Sequence, residues 1–146
     1  MQFDSRLNNT WWALRLAYGL VPIAAGADKF MNLLVNWEKY LNPMVPRLLH
    51  MQAATFMHIV GVIEIVAGVL VLTSLTRYAA YIVGAWLIGI ALNLLAQGAF
   101  LDVAVRDLVL SVGAFSLAKL TEVRESADME VEVESSARNV PTHIAA

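Results

Sequence analysis

Apolar residues run almost without interruption through four stretches, roughly Trp11 to Leu34, Met51 to Ser74, Tyr78 to Gln97 and Val103 to Leu120. Each approaches the ~20 residues with which a helix crosses hydrocarbon. The pattern therefore predicts an all-α protein, an integral membrane four-helix bundle over residues 1–120. The connections at Thr73 to Arg77 and Gln97 to Asp102 are short, so neighbouring helices are expected to run antiparallel. Asn36 to His50 differs: Trp37, Tyr40, Pro43 and Pro46 stand among Glu38, Lys39 and Arg47, too polar to span. That segment is expected to form an interfacial loop or short helix at the mouth of the bundle. Trp11 and Trp12 fit the membrane-interface belt, and Pro22 is expected to kink the first helix.

Composition supports the lipid reading. Of 146 residues, 59% are hydrophobic and 15% charged, and mean hydropathy is +0.63, which leaves too little polar surface to cover a soluble domain. A secretory signal ending near Ala25-Gly26-Ala27 is disfavoured because Arg15 interrupts the run. There are no cysteines, so disulfides, thiolate metal sites and thiol redox chemistry by the chain itself are excluded. Residues 121–146 carry a net charge of −4, which leaves +2 on the preceding 120. This acidic tail is expected to be flexible and solvated; the alternation in Met129 to Glu134 also suits strand addition to a partner. Lys and Arg are more numerous on the side of the termini, so the positive-inside rule places both termini in the cytoplasm. Nothing in the charge pattern suits nucleic acid.

Candidate chemistry lies in the polar residues within the apolar runs. A charge at a helix centre costs about 2.5 to 3.5 kcal/mol on insertion scales and so tends to face a partner. Counted from the span boundaries at about 1.5 Å per residue, Arg15 and Glu64 fall at nearly one depth, which predicts a structural intramembrane pair between them. Arg15 snorkelling to the interface is the plainer alternative. Gly61 and Gly68 share a helix face with Glu64, while Arg15, Gly19, Pro22, Gly26 and Lys29 form a stripe expected to meet that face. Nearer the outer boundary, Lys29, His58, Asn93, Arg106 and Asp107 converge from all four spans and predict an externally open, ligand-binding pocket. The plainer readings are Asn93 as interhelical glue and Arg106 with Asp107 as a pair joining the last two helices. His58 alone gives little ground for haem or metal, and no metal site is expected.

These residues resemble the DoxX-like family of small four-helix membrane proteins of bacteria and archaea. The resemblance rests on Arg15 with Gly19, on Gly26-Ala-Asp-Lys29-Phe30, on Trp37 and Tyr40, on Gly61-Val-Ile-Glu64 with Gly68, on Asn93, and on Arg106-Asp107. It extends over roughly residues 8 to 119 and leaves the acidic tail outside. Family membership implies a four-helix bundle in the cytoplasmic membrane, with some relatives described as the membrane subunit of a thiosulfate:quinone oxidoreductase or as partners in oxidative-stress complexes. The expectation is an accessory or redox-associated subunit of a membrane complex, or a homo-oligomer. No cofactor is evident in the motifs; a quinone is the amphipathic ligand considered, with Trp86 or Phe100 packing on its ring. No complete catalytic constellation is present. A purely structural scaffold is the alternative, and a small transporter fits less well without discontinuous spans.

Overall fold

The computed structural model describes residues 5–138 and is all-helical over them. Helix α1 spans Ser5–Met31, α2 Met44–Leu49, α3 Ala53–Val71, α4 Thr76–Gln97 and α5 Leu101–Arg138, with a 3-10 turn at Trp37–Tyr40. No strand occurs among the described residues. Helices α3 and α4 are long and apolar enough to cross a membrane, whereas α1 and α5 mix more charge into their length. Outward faces of the apolar runs are themselves apolar: Leu20 and Val21 on α1, Val62 and Val66 on α3, Leu92 on α4 and Val109 on α5 are all exposed. A surface of this kind suits lipid rather than water.

Helix α1 continues through Pro22 to Met31. It packs closely on α3 because glycines face one another across the contact. A Cβ on Gly26 would fall 2.5 Å from the Gly61 carbonyl oxygen, and one on Gly61 2.7 Å from the Gly26 oxygen. Gly68 stands equally tight against the Gly19 carbonyl. Only hydrogen at Gly26, Gly61 and Gly68 lets the two backbones come so near, while bare Gly19 leaves room for the Leu72 side chain; the dispersion gained along the seam is the attraction that small residues provide between helices in lipid. Glycine pairs also fix the register, since Gly19 lies opposite Gly68 and Gly26 opposite Gly61.

Helices α4 and α5 form the second close pair. All four long helices meet in one cluster at the end holding the termini: Trp11, Val71, Ala79, Ala80, Val83, Ala114, Leu117 and Ala118. Trp11 Nε1 donates to Thr121 Oγ1 at 2.8 Å there, so the indole is both buried and satisfied. At the opposite end the corresponding cluster of Ala91, Leu94 and Ala104 joins only α4 and α5, with Tyr40 from the loop packed on it. The two pairs are thus bound together at one end and spaced by the 32–52 connection at the other.

Beyond Leu120, the sequence pattern suggested a solvated tail or an added strand. Residues 121–138 continue α5 as helix, and from Asp128 onward they stay exposed as a solvated segment does. An existing helix propagates without a new nucleation cost, and Glu, Met, Ala and Arg are good helix formers. Early in this extension, Glu122 accepts hydrogen bonds from Lys119 at 2.8 Å and Tyr81 at 2.9 Å and lies 3.2 Å from Arg77. Residues 139–146, the last part of the expected flexible tail, lie outside the described residues.

Two measurements check this packing. Gly26→Ala forces a methyl into the Gly61 carbonyl, so thermal unfolding in detergent is expected to show a loss of about 1 to 3 kcal/mol. Lys119 and Tyr81 hold the Glu122 carboxyl below the usual carboxylate range. Its contribution is then complete above the unfolded-state value and lost as pH falls through the depressed folded value. Acid titration of stability in Glu122→Gln is expected to lack that part of the slope.

Candidate functional site

Where the helix pairs are spaced apart, a cavity of about 690 Å³ opens between them, walled by Met57 and Val60 of α3, Ile82 and Ile90 of α4 and Val103 of α5. Trp37, Tyr40, Leu41 and Val45 roof it from the connecting segment. Lys29, Glu64, Trp86, Asn93, Arg106 and Asp107 bring polar atoms to the same space.

Lys29 and Glu64 form the strongest polar contact there. Lys29 Nζ lies 2.6 Å from Glu64 Oε2, with both side chains almost wholly buried. Helix geometry explains the reach. Side chains tilt toward the N-terminus of their own helix, so in this antiparallel pair Lys29 leans down α1 while Glu64 leans up α3 to meet it. Asp107 lies near enough to interact electrostatically with both.

The expected partnership of Arg15 with Glu64 is therefore corrected. In the glycine register Arg15 stands opposite Leu72, eight residues or about 12 Å along the helix from the level of Glu64, and its own tilt carries it further away. Arg15 Nε donates to the Val71 carbonyl at 3.1 Å, and its Nη2 to those of Leu72 at 2.8 Å and Thr73 at 2.7 Å. A cation at this place neutralises the negative end of the α3 dipole and satisfies carbonyls that the helix leaves open. Its guanidinium also lies 4.7 Å from the Trp11 ring centre, with Arg124 at 4.2 Å from the same ring.

The roof is fastened at two points. Asp28 Oδ1 accepts the backbone N–H groups of Leu33 at 2.9 Å and Leu34 at 3.0 Å, and its Oδ2 accepts Trp37 Nε1 at 2.7 Å. That hydrogen bond sets the Trp37 ring 3.7 Å from Lys29 Nζ, a cation–π contact in a desolvated place. Across the cavity, Asn93 Nδ2 and Gln97 Nε2 both donate to the Tyr40 carbonyl, at 3.1 and 2.9 Å.

Of the residues singled out in the sequence, Lys29, Asn93, Arg106 and Asp107 line one cavity, and Glu64 joins them. His58 does not. It is exposed on the outer side of α3 and stacks on Phe30 with ring centres 4.9 Å apart. The reason is angular: Met57, Val60 and Glu64 follow the inward face by threes and fours, and position 58 falls off that stripe. Arg106 lies 3.3 Å from Asp107; its side chain is 63% exposed while that of Asp107 is 7% exposed, so Asp107 is the inward partner. Phe100 packs on Tyr40 at 4.7 Å and is not among the cavity's walls, whereas Trp86 is. The role of Asp28 was missed; the tight Asp28, Leu33, Leu34 and Trp37 spacing was the available signal.

Long apolar helices, an apolar exterior and a buried ion pair facing an internal cavity define a helical membrane protein. The DoxX family model matches residues 10–96, and the chain belongs to that family. The matched region runs from α1 through α4 and includes Lys29, Glu64, Trp86 and Asn93; Arg106 and Asp107 lie beyond it. No curated protein and no solved structure matches the chain.

The ion pair gives a direct test. Lys29→Met or Glu64→Gln alone leaves a buried partner without its counterpart, expected to cost about 3 to 5 kcal/mol, while the double variant recovers much of that loss. Thermal unfolding of the two single variants and the double variant in detergent measures this; additive losses contradict the pairing.

Proposed function

We propose that α1, α3, α4 and α5 form a four-helix transmembrane bundle whose cavity binds an amphipathic molecule of the quinone type, the protein acting as a redox-associated subunit of a membrane complex. The observation that carries this reading is the apolar cavity with a compact polar end built on the Lys29–Glu64 pair and Asp107. Its size suits a small ring with the beginning of an alkyl tail, and its few convergent polar groups are the usual means of fixing orientation. The residues present fit such a ligand: apolar walls and the Trp86 ring take the ring and tail, and Lys29 brings a donor to the carbonyl end. A bound quinone supplies the two-electron chemistry that a chain without cysteine cannot supply through thiols.

In this reading both termini face the cytoplasm of a bacterial or archaeal cell, and the acidic extension of α5 projects there toward a partner subunit. The charge distribution supports the orientation, because Arg77, Lys119 and Arg124 gather at the end with the termini. Extraction of the protein purified in native lipid is expected to yield quinone, and added decylubiquinone to raise its thermal unfolding temperature. Absence of both effects removes the basis for a quinone site and leaves the scaffold role.

A further inference from the structure

A molecule with a long chain does not fit wholly inside the cavity. A space of about 690 Å³ takes a ring and the first part of an alkyl tail, so the rest of the chain has to leave by one of the cavity's sides. The floor is closed, because Trp11, Val71, Ala79, Val83, Ala114 and Leu117 bring all four long helices together there. The roof is fastened: Trp37 donates to Asp28, Asn93 and Gln97 donate to the Tyr40 carbonyl, and the Tyr40 ring packs on Phe100. What remains is an exit between helices.

Exposure identifies the open side. Ile82, Ala85 and Gly89 of α4 line the cavity and are nonetheless exposed, Ile82 by 57%. They follow one another by three and four and so form one stripe along the helix. The opposite side of α4 is packed on α5, where Gly84 meets Phe115 and Leu94 and Ala91 cluster with Ala104. The stripe therefore borders the gap toward α3, whose Phe56 and Val60 line the cavity across from it. Both helices are long and apolar enough to span a membrane, so the gap between them opens on hydrocarbon. One other wall residue is exposed, Arg106 on α5, and it is paired with Asp107. A hydrocarbon chain passing there would strip water from a guanidinium.

We infer that the gap between α3 and α4 is a lateral port, through which the ligand enters from the bilayer and through which its hydrocarbon chain stays in lipid once the ring is seated. The inference rests on the proposed reading of the cavity as a ligand site and adds which molecules that site takes: ring compounds bearing a long hydrocarbon chain, delivered by the membrane. Ile82, Ala85, Phe56 and Val60 are the residues that meet the chain. None of them is charged, so a chain lying between them neither exposes methylenes to water nor desolvates an ion.

Two probes separate chain from ring: decylubiquinone, and dimethoxy-methyl-benzoquinone, which is the same ring without the chain. Affinities and association rates are read from quenching of tryptophan fluorescence in the full chain held in nanodiscs. Ala85→Phe places a bulky side chain in the port, and Ala85→Leu does so with a better helix former should the aromatic variant fold poorly. Both are expected to weaken decylubiquinone by roughly tenfold or more and to slow its association, with the affinity for the tailless ring held within about twofold. Gln97→Leu removes one fastening of the roof and is expected to leave the association rate of decylubiquinone unchanged. Undiminished decylubiquinone binding in both Ala85 variants overturns the port. Equal weakening of the two probes makes Ala85 a wall of the ring's seat and overturns it as well. Faster association in Gln97→Leu assigns entry to the roof, with the same consequence. Failure of wild type to bind either probe is the distinct outcome that removes the ligand site itself.

Discussion

Close contact between the backbones of α1 and α3 governs the rest of the molecule. Four glycines allow it, and because two of them lie on each helix seven residues apart, they permit one antiparallel register. Everything polar along the seam then has its partner assigned. Arg15 arrives at the open carbonyls of α3, and Lys29 arrives one reach from Glu64. A shift by one helical turn would leave the same charges facing hydrocarbon, where each costs a few kcal/mol. Register is therefore held twice, by contact that only glycine allows and by charges that have no other place to go.

The two ends of the helices are built for different purposes. At the end holding the termini, alanines, leucine and valine from all four long helices close tightly around Trp11, and Arg15 ties α1 to the end of α3. At the other end the helix pairs are held apart by a connecting segment whose aromatic side chains complete the wall they leave unfinished. Packing that is dense at one end and spaced at the other gives a cavity fixed from below, with polar groups whose positions derive from the helices rather than from the loops.

Much of this was legible in the sequence. Apolar runs marked the four long helices, spacing by threes and fours marked the glycine faces, and Lys29, Asn93, Arg106 and Asp107, placed near one another from the sequence, line one cavity. Depth was the weak step. Counting from the ends of apolar runs placed Arg15 level with Glu64, because the run boundaries do not report how helices slide along one another; the glycine pairs do. Side-chain tilt, which moves Lys29 and Glu64 toward each other and Arg15 away, adds to the same error. His58 was misplaced for an angular reason, a single position off the inward stripe. The extension of α5 beyond residue 120 was hidden because acidic composition suggests a solvated tail, whereas a helix already formed continues at little cost.

Asp28 and Lys29 are neighbours in sequence, and Trp37 touches both: it donates to the carboxylate of the first and lays its ring on the ammonium of the second. The cavity's roof and its buried charge are thereby parts of one thermodynamic unit. Any molecule that draws Lys29 toward itself must weaken the hold on Trp37, and by reciprocity any displacement of the roof must change the affinity of Lys29 for what lies beneath. The position of the roof and the hold on the buried Lys29–Glu64 pair are therefore linked quantities, joined through a single indole.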